Sequence, residues 1–270
     1  MEMQMRKQKR EGQMDTEKKE VQVGIRINKY LSEAGVCSRR AADREIENGN
    51  VWLDGRKAVT GDRVLPGMQV TFCGKEVRPE TEEIMIAFHK PVGIVCTAEK
   101  REKNNIIDFI NYPKRIYPVG RLDKDSEGLI LLTNQGDLVN KMMRAGNYHE
   151  KEYVVTVNQK ITPEFLDQMR GGLYLEELNV HTRPCKVTKV NERTFRIILT
   201  QGYNRQIRRM CETCGYRVTR LVRTRVMNIL LGDLQPGTYR ELTSEEIDTL
   251  KKLTAKSYSA PKGAKPGKRS

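Results

Sequence analysis

The side chains best suited to chemistry lie in one stretch, VGRLDKDSEGLILLTNQGDL, residues 119–138. Between Gly120 and Gly128 five of the seven side chains are ionisable, and a short apolar run follows. An apolar run bounded by turn residues is typical of a buried strand. Because Asp123 directly follows an apolar residue at the entry to this strand, we expect its carboxylate to be held rigidly at the edge of a core.

A carboxylate at a core edge needs a positive partner to stay charged. In the second half of the chain, arginines are concentrated in the segment RQIRR. Arg205 and Arg209 are four residues apart, which predicts a shared helix face, and Arg208 lies one face over. One of the three would neutralise Asp123 while the others contact phosphate. The alternative is that these residues only form structural salt bridges and RNA contacts. The other polar side chains assigned to this site are Arg121 and Tyr153.

Other kinds of site are less well supported. Residues 123–128 match the first half of a calcium-binding EF-hand loop, but Asn134, at the twelfth position, replaces the bidentate Glu. The flanks also predict a loop and a strand instead of helices. Cys211 and Cys214 form a lone pair without a second pair at matching spacing, which favours two thiols partly in a core over zinc. Phosphate-binding glycine loops and nucleophile elbows are absent from the sequence. An enzyme built this way is expected to work without metal or cofactor.

The composition points to a polyanionic partner. Among 270 residues, 49 Lys and Arg outweigh 35 Asp and Glu, for a net charge of +14. Such an excess favours binding to nucleic acid. The sequence contains neither a secretory leader nor an apolar run of about 18 residues, so we expect no membrane association. Six cysteines in a chain of this kind are expected to be reduced thiols of a cytoplasmic protein. We expect the protein to be a monomer.

The chain is predicted to divide into four parts. These are a disordered charged arm (1–23), a small domain of two helices followed by short strands (24–78), a larger domain (82–252) and a flexible basic tail (256–270). Strands and helices mix without regular alternation, which predicts an α+β fold with a largely antiparallel sheet.

Within the larger domain, a strand is predicted at 94–97, and two separate strands are predicted at 218–223 and 227–231. Basic side chains cluster on the helix pair of the small domain, where one-signed charge suits phosphate contacts; a merely solvated basic face is the alternative. The residues expected to bind RNA there are Arg26, Lys29, Arg39, Arg40, Arg44, Arg56 and Lys57, and those in the larger domain are Arg121, Arg205 and Arg209.

Several segments together resemble a known family. GRLDKDSEGLILLTNQGDL resembles the signature of the RsuA-type branch of the pseudouridine synthases, and KEYVVTV and QGYNRQIRRMCETCGYRV resemble its second and third motifs, in the expected order. HKPVG resembles its opening strand and turn. RINKYLSEAGVCSRRAADREIENGNVWLDGR resembles the S4-like RNA-binding domain that precedes it. The similarity extends over residues 25–250.

The resemblance implies isomerisation of uridine to pseudouridine: the N1–C1′ bond breaks, the base rotates, and C5 joins C1′. It implies that Asp123 is the essential aspartate, that Tyr153 stacks on the target base, that Arg208 pairs with Asp123, and that Leu221 lies in the apolar wall beside them. Details such as RAGNYHEKEY resemble a member that acts on large-subunit (23S) ribosomal RNA. The alternatives are a related synthase acting on 16S ribosomal RNA or transfer RNA, and a non-catalytic RNA-binding or ribosome-assembly factor.

Overall fold

A computed structural model describes residues 24–257. The predicted arm, 1–23, lies outside the described residues, as does the predicted tail beyond residue 257. The chain divides between Glu80 and Thr81 into two compact units, each of which is considered by itself.

The first unit combines a helix pair with short strands. Its elements are β1 (Ile25–Arg26), α1 (Ile27–Glu33), α2 (Arg39–Glu47), β2 (Val51–Leu53), β3 (Arg56–Lys57), β4 (Arg63–Val64), β5 (Val70–Phe72) and β6 (Lys75–Glu76). Helix α2 begins where the sequence predicts, because the Ser38 hydroxyl accepts a hydrogen bond from the Ala41 amide at 3.2 Å. Leu31 and Ala42 are fully buried between the helices and the sheet.

The second unit is built around a nine-stranded sheet. The strands of this unit are β7 (Met85–Lys90), β8 (Tyr117–Pro118), β9 (Glu127–Thr133), β10 (Lys151–Val157), β11 (Tyr174–Leu175), β12 (Val180–His181), β13 (Lys186–Lys189), β14 (Thr194–Leu199), β15 (Val218–Val226), β16 (Ile229–Leu230) and β17 (Tyr239–Glu241). The helices are α3 (Ile106–Ile110), α4 (Gly136–Met143), α5 (Pro163–Gly171), α6 (Gln206–Thr213) and α7 (Ser244–Thr254). Strands β11 and β12 form a separate hairpin that the sequence did not predict.

The sheet runs in the order β13-β14-β10-β15-β9-β7-β17, and it is antiparallel except where β9 meets β15. The predicted α+β fold with a largely antiparallel sheet is therefore confirmed. At the parallel junction Gly128 lies opposite Arg223 with φ of +112°. A Cβ at this position would lie 2.4 Å from the Arg223 carbonyl oxygen. Only glycine therefore lets the two backbones approach so closely.

Three clusters of buried side chains flank the sheet. Strand β9 explains two of them, because Leu129 and Leu131 enter one cluster while Ile130 and Leu132 enter another. A strand buried on both faces reads as a continuous apolar run, as predicted here from the sequence. The strand that ends the charged loop is therefore fixed from both sides.

One strand prediction was wrong, and the first of the two strands predicted at 218–223 and 227–231 is longer than expected. Residues 94–97 form no regular strand: the backbone of Val95 instead bonds to Asn104 and Ile106, the residues that lead into α3. Residues 218–226 form one long strand, because the chain turns only at Met227, whose φ is +54°. The short β16 then pairs back onto β15.

Candidate active site

The loop between β8 and β9 carries Asp123 at the edge of the sheet. Its neighbour Leu122 is buried, and the Leu122 amide donates to the Cys96 sulfur at 3.3 Å. The Ser126 amide donates to the Asp123 carbonyl at 3.1 Å, and the Gly93 amide donates to the Lys124 carbonyl at 2.7 Å. Successive residues of the loop are thus pinned, and Asp123 is half-buried in a defined backbone conformation.

A buried arginine on β15 braces this loop from below. Arg223 donates from Nε to the Leu129 carbonyl at 2.6 Å and from Nη1 to the Arg121 carbonyl at 3.4 Å. The same guanidinium therefore holds the backbone on both sides of the Asp123 turn. Arg223 is only 2% exposed, and its Nη2 has no hydrogen-bond partner among the described residues.

Arg208 contacts a different carboxylate from the one predicted. Its Nε lies 3.4 Å from Asp125 Oδ2, and its Nη2 donates to the Asp125 carbonyl at 2.8 Å and to the Ser126 hydroxyl at 3.2 Å. Within residues 24–257, Asp123 forms no ion pair within 4.0 Å. The predicted pair between Asp123 and Arg208 is replaced by one with Asp125, because Arg208 reaches the loop where it turns into β9.

The predicted shared helix face of Arg205 and Arg209 was also wrong. Arg205 precedes α6 in the left-handed region, with φ of +52°, and its guanidinium grips Asp125 through two hydrogen bonds of 3.1 and 2.9 Å. Arg209 instead forms an ion pair with Glu177 and bonds to Asn204. The cap geometry, which a spacing argument ignores, turns the two side chains apart.

Asp125 is therefore the anionic centre that organises the two arginines. Burial raises the pKa of its carboxyl, but the hydrogen bond from Arg205 and the charges of Arg208 and Arg205 outweigh burial, so the pKa lies below its ordinary value. The hydrogen bond to Asp125 in turn raises the pKa of Arg205, with a smaller contribution from the charge of Asp123. Asp123 thus lies close enough to interact electrostatically with Arg205 without forming an ion pair with it.

Asp123 opens into a cleft of about 420 Å³. The side chains predicted for the site that line this cleft are Arg121, Asp123, Tyr153, Arg205, Arg208 and Leu221. Tyr153 is half-buried on β10 and packs against two of the hydrophobic clusters, which fixes its ring. Leu221 is buried on the neighbouring strand, opposite Val155. The sequence-predicted groups therefore share one concave site of a size typical for a small ligand.

Comparison with known proteins identifies the family. A family model described as RNA pseudouridylate synthase matches residues 84–213, and one described as S4 domain matches residues 25–70. The chain is 54% identical to the dual-specificity RNA pseudouridine synthase RluF of Escherichia coli K12 over 240 residues, which covers 88% of this chain and 82% of that protein. The chain belongs to the RNA pseudouridylate synthase family.

A second relative and a crystal structure are also similar to most of this synthase. It is 35% identical to the ribosomal large subunit pseudouridine synthase B of Bacillus subtilis, over 84% of this chain and 96% of that protein. A crystal structure of a pseudouridylate synthase superposes with a TM-score of 0.62 at 26% identity, covering 84% of this chain and 99% of that one. The predicted activity class, an RNA-modifying isomerase with an S4 domain, is confirmed.

In the S4 unit of the synthase, the basic residues predicted to bind RNA differ in exposure. Arg26, Arg39, Arg40, Arg44, Arg56 and Lys57 are exposed, while Lys29 is half-buried and lies 3.5 Å from Glu33. Arg56 is also engaged by Asp62 through two hydrogen bonds of 2.8 and 3.1 Å. Trp52 is 40% exposed opposite Lys57, so an aromatic face adjoins the charge. No helix within residues 24–257 is long and apolar enough to cross a membrane.

The structure does not support a calcium site at the segment that resembles an EF-hand or a reactive site at Cys211 and Cys214. In the segment that resembles an EF-hand, residues from Glu127 onward form β9, and Glu127 is bound by Arg220 at 2.6 Å. Cys211 is fully buried and Cys214 is half-buried beside it, as predicted for thiols in a core. Burial raises the pKa of both thiols, which makes them poor nucleophiles.

Sequence reasoning missed three buried cations at the site, namely Lys90, Lys151 and Arg223. Lys90 is fully buried and donates to the Pro91 and Ile94 carbonyls, both at 2.8 Å. Burial lowers its pKa, and the nearby Asp123 and Asp125 charges oppose that shift. Lys90 ends β7, Lys151 begins β10 and Arg223 lies within β15. A cation within or at the end of a predicted buried strand was the available signal.

Proposed function

We propose that this synthase converts a specific uridine of large-subunit (23S) ribosomal RNA to pseudouridine, with Asp123 as the essential aspartate. The observation that carries the proposal is that Asp123, fixed by its pinned loop, opens with Tyr153 into a single cleft. The names of the Bacillus relative and of RluF support an RNA substrate, and the former supports the large ribosomal subunit.

The reaction requires the target nucleotide to leave its stack. A base inside folded RNA must be extruded before its C1′ is accessible, at a cost of roughly a few kcal/mol. We propose that Tyr153 stacks on the extruded uracil, which returns about 1–3 kcal/mol. Leu221 would form the apolar wall of the same cleft. Asp123 would then act at the sugar, either by attacking C1′ or by removing a proton after glycal formation.

In this proposal Arg208 is a positioning residue. It is buried and bonds to Asp125 and Ser126, the residues between Asp123 and β9. Its charge would fix the carboxyl-terminal side of the catalytic loop, as Arg223 braces the backbone at both ends. Because the isomerisation leaves the composition of the nucleoside unchanged, this set of side chains needs no cofactor.

We also propose that the chain is organised in the four parts predicted from the sequence, 1–23, 24–78, 82–252 and 256–270. We propose that Arg26, Lys29, Arg39, Arg40, Arg44 and Lys57 of the S4 unit, and Arg121, Arg205 and Arg209 at the catalytic unit, contact RNA phosphate, which positions a protein without reading sequence. We further propose that the synthase works as a monomer in the cytoplasm, where its six cysteines would stay reduced.

Asp123→Asn provides the first test. We expect this variant to release no tritium from RNA carrying 5-tritiated uridine, because joining C5 to C1′ frees that hydrogen only when the aspartate acts. RNA affinity should stay within a few-fold of wild type, since one oxygen is exchanged for an amide nitrogen. Asp167→Asn, the same change on the exposed side of α5, serves as the control. Full activity of Asp123→Asn would refute the assignment.

The substrate is tested separately by mapping pseudouridines in RNA from cells with and without this protein. We expect one large-subunit site to disappear. The name of RluF includes "dual-specificity", which favours a second RNA substrate for this chain also, with transfer RNA as the candidate. Loss of sites only from 16S ribosomal RNA, or unchanged maps, would contradict the proposed substrate.

A further inference from the structure

Lys151 is a buried cation that the proposed mechanism does not use. It begins β10, opposite Leu199 on β14 and Val226 on β15, and it lines the same cleft as Asp123. Its side chain is buried, with 7% of the residue exposed. Within residues 24–257, no carboxylate lies within 4.0 Å of its ammonium group. A positive charge is therefore held in the cleft without a neutralising anion.

The position of Lys151 relative to Tyr153 indicates what it faces. Alternate residues of a strand share one face and are spaced about 7 Å apart. Lys151 and Tyr153 are alternate residues of β10, both line the cleft, and both pair in unbroken register with β14. A base stacked on Tyr153 would therefore present its edge within reach of the long Lys151 side chain.

The surroundings of Lys151 increase the cost of its charge. Burial lowers its pKa to about 8, and the positive charge of Arg223 adds to the effect. An unpaired buried charge is destabilising, so such groups are most often found where a reaction or a ligand uses them. RNA binding alone would be served by exposed lysines, whereas this lysine lies inside the cleft.

The proposed isomerisation creates the anion that Lys151 lacks. When the C1′–N1 bond breaks, its electron pair leaves with uracil, which becomes an anion delocalised over N1, O2 and O4. C5 then forms the new bond to C1′, the C5 proton is lost and N1 gains a proton, so all atoms balance. A donor placed where such charge develops is worth more in a water-poor cleft than in solution.

We propose that Lys151 is a further catalytic residue, whose ammonium donates a hydrogen bond to a carbonyl oxygen of the extruded uracil and stabilises the departing uracil anion. The inference rests on the proposed function, because Tyr153 must stack on the same base. It assigns the leaving-group side of the reaction to β10, whereas Asp123 acts on the sugar side from the loop before β9.

Lys151→Met tests this role, because it keeps most of the side-chain volume and removes the charge. We expect the single-turnover rate at saturating RNA to fall by about 10²-fold or more. The dissociation constant for RNA and its salt dependence should stay within about threefold of wild type. Lys151→Arg should retain at least a tenth of the rate. Lys186→Met, which removes an exposed lysine from β13 of the same sheet, should match wild type.

The pH profile gives a second readout. Lys151 is charged below its pKa and neutral above it, so the wild-type rate at saturating RNA should fall as pH rises through about 8. In Lys151→Arg this fall should disappear, because arginine keeps its proton. Burial and the charge of Lys151 lower the pKa of the neighbouring His149, so its titration lies well below this range. The other ionisable groups around Lys151 are Arg121, Asp123, Tyr153, Tyr203, Arg205, Arg208 and Arg223.

The opposite pattern would overturn the inference. If Lys151→Met weakens RNA binding and reduces the salt slope by about one while the saturated rate is unchanged, Lys151 binds a phosphate instead. If Lys151→Met does not fold, the pH profile of Lys151→Arg decides, and a profile identical to wild type refutes the role. Failure of the wild-type protein to release tritium from ribosomal RNA would instead refute the proposed function itself.

Discussion

Asp123 and Asp125 are two carboxylates in one loop with different surroundings. Asp125 is saturated by arginine, and its pKa is lowered as a result. Asp123 has its backbone fixed, while within residues 24–257 its carboxylate has no ion pair within 4.0 Å. Two neighbouring acids whose environments differ in this way are suited to separate roles. Asp125 therefore binds the two arginines of the site and leaves the carboxylate of Asp123 without a cation partner among the described residues.

Asp125→Asn should separate these roles. Removing the charge leaves Arg208 buried beside a neutral amide and releases Arg205, so we expect a loss of about 1 kcal/mol of stability, since Asp125 is partly exposed. For a domain of this size this corresponds to a melting temperature lower by about 2–4 °C. The rate at saturating RNA should fall by about tenfold, because Asp123 loses part of its positioning. Differential scanning calorimetry and tritium release measure the two effects.

Glu192→Gln is the matched control, because it breaks the exposed pair of Glu192 with Lys160 at 3.4 Å and should change neither quantity. If Asp125→Asn behaves like this control, Asp125 does not position the loop. The sign with pH follows from the lowered pKa. The stabilisation is complete above the ordinary carboxyl pKa and is lost only in acid, as pH falls through the lowered pKa of Asp125.

At the scale of elements, the parallel pairing of β9 with β15 fixes the position of the loop that carries Asp123. Gly128 adopts φ of +112° because the Arg223 backbone passes directly over it, and the Arg223 side chain continues beneath the loop. One position thus supplies both the close strand approach and the brace under Asp123. A side chain at residue 128 would disturb the sheet and the site together.

Gly128→Ala should destabilise the catalytic unit by about 2–6 kcal/mol, because the unfavourable φ and the clash with Arg223 add. Gly215→Ala provides the control: its φ is +77°, but nothing lies within 4 Å of the added Cβ, so only the backbone strain of about 1 kcal/mol should appear. Urea unfolding of both variants measures the difference. Equal losses would show that the close approach at Gly128 is unimportant.

Local patterns predicted most of the elements. The helix from Arg39 to Glu47, the strand from Lys151 to Val157 and the cap at Thr162 follow from spacing, β-propensity and capping chemistry. The strand prediction at residues 94–97 was wrong because an apolar run is also found in a loop that packs on a hydrophobic core. The hairpin of β11 and β12 carries too few residues for a periodic signal.

The sequence predicted which residues line the cleft but not which of them form ion pairs with one another. Loop position and charge selected Asp123, and the family motifs selected Tyr153 and Arg208, which share the cleft. The partner of Arg208 depends on where α6 meets β9 in the fold, which spacing does not encode. The left-handed cap at Arg205 and the buried Lys151 are likewise outcomes of tertiary packing.

At the scale of the whole molecule, the two units have separate hydrophobic cores. The S4 unit carries exposed positive charge, and the catalytic unit carries the cleft. Charge that contacts phosphate supplies affinity, whereas the cleft supplies selection of the base. The two contributions are expected to respond differently to salt.

Removing residues 1–78 should therefore weaken RNA binding and flatten its salt dependence, while the catalytic unit stays folded. The slope of log affinity against log salt should decrease in magnitude by about 3–5, since the deletion removes the five exposed cations that we propose to contact phosphate, Arg26, Arg39, Arg40, Arg44 and Lys57. Activity at saturating RNA should survive. Filter binding across a salt series measures the slope, and the double variant Arg39→Gln/Arg40→Gln should reproduce part of the change. An insoluble fragment would contradict the proposed boundary.

The buried lysines and arginines beneath the cleft have a cost for the free protein. Arg223 lowers the pKa of both Lys90 and Lys151, so these charges repel one another in the folded chain. Apolar side chains of the same size would pack there more favourably. The free protein therefore carries an electrostatic cost at the cleft, which we expect a bound polyanion to reduce.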